Sequence, residues 1–77
     1  MTEQKWTSDI AKFLIGKSIA GVRYMSQEEV DENMWDQRPL AIFFTDGSYI
    51  IPMSDDEGNN GGSLYTSSTE LPIIPVM

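Results

Sequence analysis

Strand-forming residues alternate most regularly in the middle of the chain, where they predict a β-hairpin. Two such runs, 40–45 and 48–52, flank the dipeptide Asp46-Gly47. Two runs of strand formers around a two-residue Asp-Gly loop are the strongest short-range signal for a hairpin. The pattern therefore predicts a hairpin over residues 40–52.

A two-residue turn also sets the register, because the strands are counted outward from it. In this register Phe44 faces Tyr49 and Phe43 faces Ile50. Side chains alternate between the two faces of a strand. One face then carries Leu40, Ile42, Phe44, Tyr49 and Ile51, and the other carries Ala41, Phe43 and Ile50. Both faces are apolar, so both need cover.

The N-terminal segment has the spacing of a short amphipathic helix. Thr7, Ser8 and Asp9 are candidate N-cap residues, and Gly16 stands where a C-terminal glycine is expected. About two and a half turns are not stable alone, so this helix must pack against something apolar. Its apolar side is formed by Trp6, Ile10, Phe13 and Leu14.

Two further elements are predicted before the hairpin. Residues 18–25 alternate as a first strand, in which Gly21 is a candidate bulge. Ser26 and Glu29 have the spacing of a capping box, which predicts a short helix over 27–33. Its inner side consists of Val30 and Met34.

After the hairpin the chain becomes polar and then apolar again. Residues 54–63 are an acidic, glycine-rich loop, and 64–66 are a candidate fourth strand. The apolar tail, 71–77, contains two prolines that remove ladder donors, so an extended edge segment is expected. It docks on its own core or on a second copy. The whole pattern predicts one α+β domain over 1–77. Its antiparallel sheet has three or four strands centred on the 40–52 hairpin, with the short N-terminal helix packed on one face.

Composition adds a reason to expect self-association. The chain has 77 residues, 40% of them hydrophobic, and contains neither cysteine nor histidine. A core this small leaves little net stability, and small domains usually add a disulfide, a metal or a partner chain. Without cysteine or histidine, a homodimer is the stabilising addition that is left, and we expect no cofactor and no metal centre.

The net charge of −7 disfavours whole classes of partner. Nucleic-acid phosphates and anionic membranes repel such a surface, and no basic stripe offsets the repulsion. The first residues lack the pattern of a signal peptide, so a cytoplasmic location is expected. Mimicry of nucleic acid fits the charge, although the acidic residues form no recognisable row.

The acidic loop offers oxygen ligands of the kind that calcium and magnesium prefer. Its candidate ligands are Asp55, Asp56, Glu57 and Asn59. The calcium-loop pattern fails, since the twelfth residue from Asp55 is Thr66 rather than glutamate. The alternatives are a cation-binding or hydrolytic site in 54–62 and a solvated turn.

Enzymatic chemistry has little support, whereas a recognition surface has candidates. No histidine is present to activate a hydroxyl, and no Ser-x-x-Lys spacing occurs. Trp35, Arg38 and Tyr65 are residue types that favour protein interfaces. The alternative for Trp35 is burial against the core, with Arg38 paired to a carboxylate.

One wider resemblance rests on a string of short motifs. These are Arg23-Tyr24-Met25, Glu28-Glu29, Trp35-Asp36-Gln37-Arg38-Pro39-Leu40, Asp46-Gly47, Ser54-Asp55-Asp56-Glu57-Gly58-Asn59 and Gly61-Gly62. Together they resemble a group of short, uncharacterised bacterial proteins over about residues 16–77. The resemblance implies a bacterial protein and assigns no residue a role.

The function expected from the sequence is therefore a non-enzymatic interaction module. It self-associates and binds a protein or a small ligand through Trp35, Arg38, Tyr65 and the acidic loop.

Overall fold

The computed structural model describes residues 2–77 and confirms an α+β fold. β1, β2 and β3 form an antiparallel sheet in that order, and β4 and β5 form a separate two-stranded sheet. The elements in chain order are α1 (Glu3–Leu14), β1 (Ile19–Tyr24), α2 (Gln27–Glu32), β2 (Leu40–Phe44), β3 (Tyr49–Ile50), β4 (Leu64–Tyr65) and β5 (Ile73–Ile74). Within these residues no helix is long and apolar enough to cross a bilayer.

Helix α1 begins earlier than its sequence signals indicate. The hydroxyl of Thr2 accepts a hydrogen bond from the backbone of Lys5 at 3.2 Å, so Thr2 is the N-cap instead of Thr7, Ser8 or Asp9. The acidic side chain of Glu3 then lies in the first turn, where the helix dipole favours it. The helix ends as predicted, with Gly16 at a φ of 86°.

The apolar side of α1 is the main departure from the expected packing. None of the 12 residues of this helix is buried. Trp6 is 56% exposed and Ile10 is 49% exposed. Contact with the sheet region occurs near the end of the helix, where the ammonium of Lys17 lies 4.5 Å from the Phe13 ring centroid and 5.7 Å from that of Phe44.

The hairpin between β2 and β3 is present, but its loop has one residue more than predicted. Phe43 pairs with Tyr49, and Ile42 pairs with Ile50. The predicted register, with Phe44 opposite Tyr49, is therefore wrong by one residue. The backbone of Phe44 accepts from Gly47 at 3.1 Å, and Gly47 adopts a φ of 90°. A left-handed residue at this place is typical of a three-residue hairpin loop.

This change of register moves β3 side chains to the other face of the sheet. Phe43 and Tyr49 now share a face, with ring centroids 6.0 Å apart. The bulge expected at Gly21 is present, since the pairing of β1 with β2 shifts between Ile19 and Gly21. On the face with Phe43, Arg23 pairs with Ala41.

The capping box of α2 is confirmed, and this helix covers part of the Phe43 face. Ser26 and Glu29 exchange both predicted hydrogen bonds, and Val30 is fully buried. The helix ends at Glu32, so Met34 does not share the inner side with Val30. Met34 has a φ of 58° and is 88% exposed.

The buried core is small and lies under α2. Five apolar side chains in the described part of the chain are buried: Met25, Val30, Pro39, Ala41 and Phe44. Met25, Val30 and Ala41 form one cluster, against which Trp35, Phe43 and Ile51 pack. A core of this size supports the expectation of marginal stability for a lone chain.

The C-terminal tail pairs with its own chain. β4 pairs with β5 instead of joining the main sheet as a fourth strand. The last residue, Met77, exchanges two backbone hydrogen bonds with Arg38, both 2.6 Å long. The tail is therefore tied to the segment that precedes β2.

Candidate functional site

A groove of about 580 Å³ lies where the Phe43 face of the sheet meets α2. Its apolar floor includes Met25 and Ala41 of the buried core cluster, with Phe43 and Ile51 packed against that cluster. Its lining consists of Arg23, Met25, Glu29, Glu32, Asn33, Trp35, Ala41, Phe43, Tyr49, Ile51 and Met53.

One ion pair spans the rim of the groove from β1 to α2. The guanidinium of Arg23 donates to both carboxylate oxygens of Glu29, at 2.8 and 3.0 Å. These hydrogen bonds, followed by that from the Ser26 backbone, lower the pKa of Glu29 to about 2. The same pairing raises the pKa of Arg23. Arg23 also lies 5.2 Å from the Phe43 ring centroid, so both its charge and its π contact are used within the chain.

A second carboxylate on the rim has no cationic neighbour. Glu32 lines the groove, and no ion pair joins it to any residue in 2–77. The rim charge is therefore negative after Arg23 and Glu29 cancel. Apolar side chains below and an unpaired carboxylate above are complementary to an apolar segment that carries a positive charge.

Trp35 is the one predicted site residue that lines this groove. Its side chain is half-buried, and its indole N–H donates to the carbonyl of Gly58 at 2.8 Å. The ring therefore connects the groove to the acidic loop. Trp35 packs against the core cluster, which is one of the two alternatives that the sequence left open, and its role in recognition stays a prediction.

Arg38 lies outside the groove and has an internal role. Its Nε donates to the carbonyl of Met25 at 2.8 Å, and its backbone pairs with Met77. The expected pairing with a carboxylate is absent from the ion pairs of the described residues. Arg38 therefore connects the segment before β2 to Met25, which follows β1, and to Met77.

Asp55 acts as the internal anchor of the acidic loop. Its Oδ1 accepts from the backbones of Glu57 and Asn59, at 3.0 and 3.3 Å. Its Oδ2 accepts from the side-chain amide of Asn59 at 2.8 Å. The hydrogen bonds from Asn59 are the largest cause of the lowered pKa of Asp55. These contacts use the oxygens that a cation would need.

The base of the loop is held against the segment before β2. Met53 and Gly61 form an isolated bridge, and a Cβ at Gly61 would lie 2.5 Å from Cδ of Pro39. The side chain of Asn60 accepts from the backbone of Asp36 at 3.1 Å. Close backbone approach explains the requirement for glycine here.

The other predicted residues are not assembled into a site. Asp56 and Glu57 are exposed, and Tyr65 on β4 is 83% exposed. No group of three or more acidic side chains within residues 2–77 could hold a metal ion.

Sequence reasoning missed most of the groove. The capping box identified Glu29 as a helix residue, but nothing in the sequence indicated that Arg23 would reach it. Tyr49 was placed on the opposite face from Phe43 by the wrong register. Only the longer loop at Gly47 puts the two rings together.

No family model, curated protein or solved structure matches this chain. Its own groove is therefore the basis for a function.

Proposed function

We propose that this protein is a non-enzymatic interaction module that self-associates and binds a partner in the groove beside α2. The observation that carries the proposal is the groove itself, with an apolar floor and one unpaired carboxylate, Glu32, on its rim. Open apolar surface bounded by polar groups is typical of interaction sites. Half-exposed aromatic rings, Trp35 and Tyr49, are residue types that contribute most at interfaces.

The preferred occupant is an apolar protein segment with a basic flank, rather than an anionic small ligand. The net charge of −7 attracts such a segment at long range and repels anions. At short range the carboxylate of Glu32 lies beside the apolar floor, so a lysine or arginine next to an apolar anchor satisfies both features.

Self-association is supported separately by the small amount of apolar surface that the single chain buries. Five buried apolar side chains are few for a stable domain, and the apolar side of α1 is left half-exposed. A bacterial origin and a cytoplasmic location belong to the same proposal, the first of them resting on the resemblance to short bacterial proteins.

The alternative, a cation-binding or hydrolytic loop at 54–62, has weaker support. Both carboxylate oxygens of Asp55 already accept hydrogen bonds from Glu57 and Asn59 within the loop. A thermal melt with calcium, magnesium or chelator tests this alternative, since a ligand of the folded state raises the melting temperature. A rise with either ion that D55A abolishes would favour it over the groove.

Fluorescence of Trp35 tests binding in the groove. Trp6 is the other tryptophan, so the Trp6→Phe variant leaves Trp35 as the sole reporter. The probe is a helical peptide of leucine and lysine, compared with a leucine and glutamate peptide of equal length. We expect the lysine peptide to shift the emission and the glutamate peptide to have little effect.

Two variants locate the interaction. Glu32→Gln removes the unpaired rim charge and should weaken binding of the lysine peptide. Glu28→Gln, on the same helix but outside the groove lining, is the matched control and should not. Equal binding of both peptides would exclude the proposed chemistry of the groove, as would binding of neither peptide by a protein that sediments as a single chain.

A further inference from the structure

Charge is divided unevenly between α1 and the rest of the chain. All three lysines lie within residues 2–17, against the two carboxylates of Glu3 and Asp9, which gives this segment a net charge of +1. Residues 18–77 carry two arginines against ten carboxylates, a net charge of −8. Within the chain Lys5 pairs with Asp9 and Lys17 pairs with Asp46. Lys12 forms no ion pair among the described residues, so α1 offers one lysine, next to Phe13, to the groove.

The same segment carries an apolar surface without a partner. Trp6, Ile10 and Phe13 recur along one side of α1 and are 56%, 49% and 44% exposed. Ile15, directly after the helix, is 79% exposed. A twelve-residue helix gains most of its stability from a packed apolar side, which this helix lacks within its own chain.

We propose that α1 of a second copy of this chain occupies the groove formed by β1–β3 and α2. The inference rests on the proposed function, since it names the apolar segment with an unpaired lysine that the groove binds. The apolar floor around Phe43 and Trp35 receives the Trp6–Phe13 side of the partner helix. Because α1 carries two lysines against two carboxylates and is neutral, its docking on an acidic body avoids the repulsion that opposes contact between two acidic bodies.

Docking of α1 gives a closed dimer when each copy places its helix in the groove of the other. Each copy offers one helix and one groove, so two copies related by a two-fold axis satisfy both features at once. The product is a homodimer in which each α1 gains the cover that its own sheet does not provide.

Two single variants test the two sides of this contact. Ile10→Glu places a charge on the exposed apolar side of α1, and Tyr49→Lys places one on the exposed rim of the groove. Both positions are about half exposed, 49% and 57%, so the chain should still fold. We expect the wild type to sediment as a dimer and each variant to sediment as a single chain. The dissociation constant should rise at least about tenfold, a change of about 1.4 kcal/mol.

Matched controls carry the same substitutions away from the contact. Ser8→Glu lies on the opposite side of α1 from Ile10, and Leu71→Lys lies outside the groove on an exposed tail residue. Both should remain dimeric. Circular dichroism of every variant confirms that the chain is folded.

Mixing the two variants gives the decisive result. Ile10→Glu keeps an intact groove and Tyr49→Lys keeps an intact helix, so one correct contact re-forms only in the mixture. A mixed dimer supports the proposal. Variants that stay dimeric alone would overturn it, because association would then run through another surface, such as the free edge of β1.

The failure of this inference can be distinguished from failure of the proposed function. A wild type that sediments as one chain at every concentration overturns the docking of α1 and the self-association in the proposed function, but not binding of another protein in the groove. If the leucine and lysine peptide still shifts Trp35 emission in that case, the groove binds a different protein. If the peptide also has no effect, both proposals are wrong.

Discussion

Arg23 on β1 and Glu29 on α2 are joined by two parallel hydrogen bonds across the rim of the groove, at 2.8 and 3.0 Å. Glu29 also accepts from the backbone of Ser26 at 2.8 Å, so one carboxylate both caps α2 and ties that helix to the sheet. This side chain, six residues from Arg23 in sequence, therefore both caps the start of α2 and connects the helix to β1.

This pair predicts a pH-dependent stability. The pKa of Glu29 is lowered from 4.5 to about 2, so its contribution is fully present above pH 4.5 and is lost as the pH falls through 2. Glu29→Gln keeps an acceptor for the cap but loses the charge. The difference in melting temperature between wild type and E29Q should be largest above pH 4.5 and shrink towards pH 2.

The exposed neighbour Glu28 supplies the control for this series. The melting temperature of Glu28→Gln should follow that of the wild type across the same pH range, because Glu28 forms no ion pair within the described residues. If the difference in melting temperature between wild type and E29Q stayed constant from pH 6 to pH 2, packing and not charge would hold α2 against the sheet.

The indole of Trp35 predicts a coupling between the groove and the acidic loop. Trp35→Phe keeps an aromatic ring but removes the N–H that donates to Gly58 at 2.8 Å. Loss of one partly buried hydrogen bond should lower the free energy of unfolding by about 1 kcal/mol. Urea denaturation measures the change. Trp6→Phe, on the exposed side of α1, should have a smaller effect, and equal losses would contradict the coupling.

Gly61 predicts a steric limit at the base of the loop. In Gly61→Ala the new Cβ would lie 2.5 Å from Cδ of Pro39 and 3.1 Å from the carbonyl of Gln37. Overpacking against a proline ring and backbone should cost about 1–3 kcal/mol in unfolding free energy.

Gly21→Ala is the matched variant for this steric test. A Cβ at Gly21 meets nothing within 4 Å, so its unfolding free energy should change by no more than about 0.5 kcal/mol. An unchanged free energy of unfolding in Gly61→Ala would contradict the close contact between the acidic loop and Pro39.

Substitution of Asp55 should destabilise the acidic loop, whereas substitution of its neighbour Asp56 should not. Asp55→Ala removes the acceptor of three hydrogen bonds from Glu57 and Asn59, so the melting temperature should fall. Amide exchange at these two residues should also become faster. Asp56→Ala, at an exposed position without such contacts among the described hydrogen bonds, should leave both quantities unchanged. Equal responses would imply that the loop conformation does not depend on Asp55.

The prediction of the fold succeeded where the deciding interactions are local. The capping box at Ser26 and Glu29, the helix stop at Gly16 and the bulge near Gly21 each depend on a few adjacent residues. The N-cap of α1 failed for a related reason, since Thr2, Thr7, Ser8 and Asp9 all have the right chemistry. The helix extends to the earliest of them.

The candidate site was harder to predict because one residue of loop length changes it. Asp46-Gly47 suits both a two-residue loop and a three-residue loop that includes Thr45. In the second case Tyr49 joins Phe43 over the groove instead of lying on the opposite face. Trp35 was identified by its residue type, whereas Asp55 and Arg38 proved to use their polar groups within the chain.

The sequence by itself determined the α+β class, the hairpin, both helices and the acidic character of the chain, because each follows from periodicity, capping or composition. Only the tertiary structure decided that Arg23 reaches Glu29, that Trp35 reaches Gly58 and that α1 leaves its apolar side uncovered. Such contacts join segments distant in sequence. They depend on strand register and on the small volume of the core, and no local pattern of residues encodes either quantity.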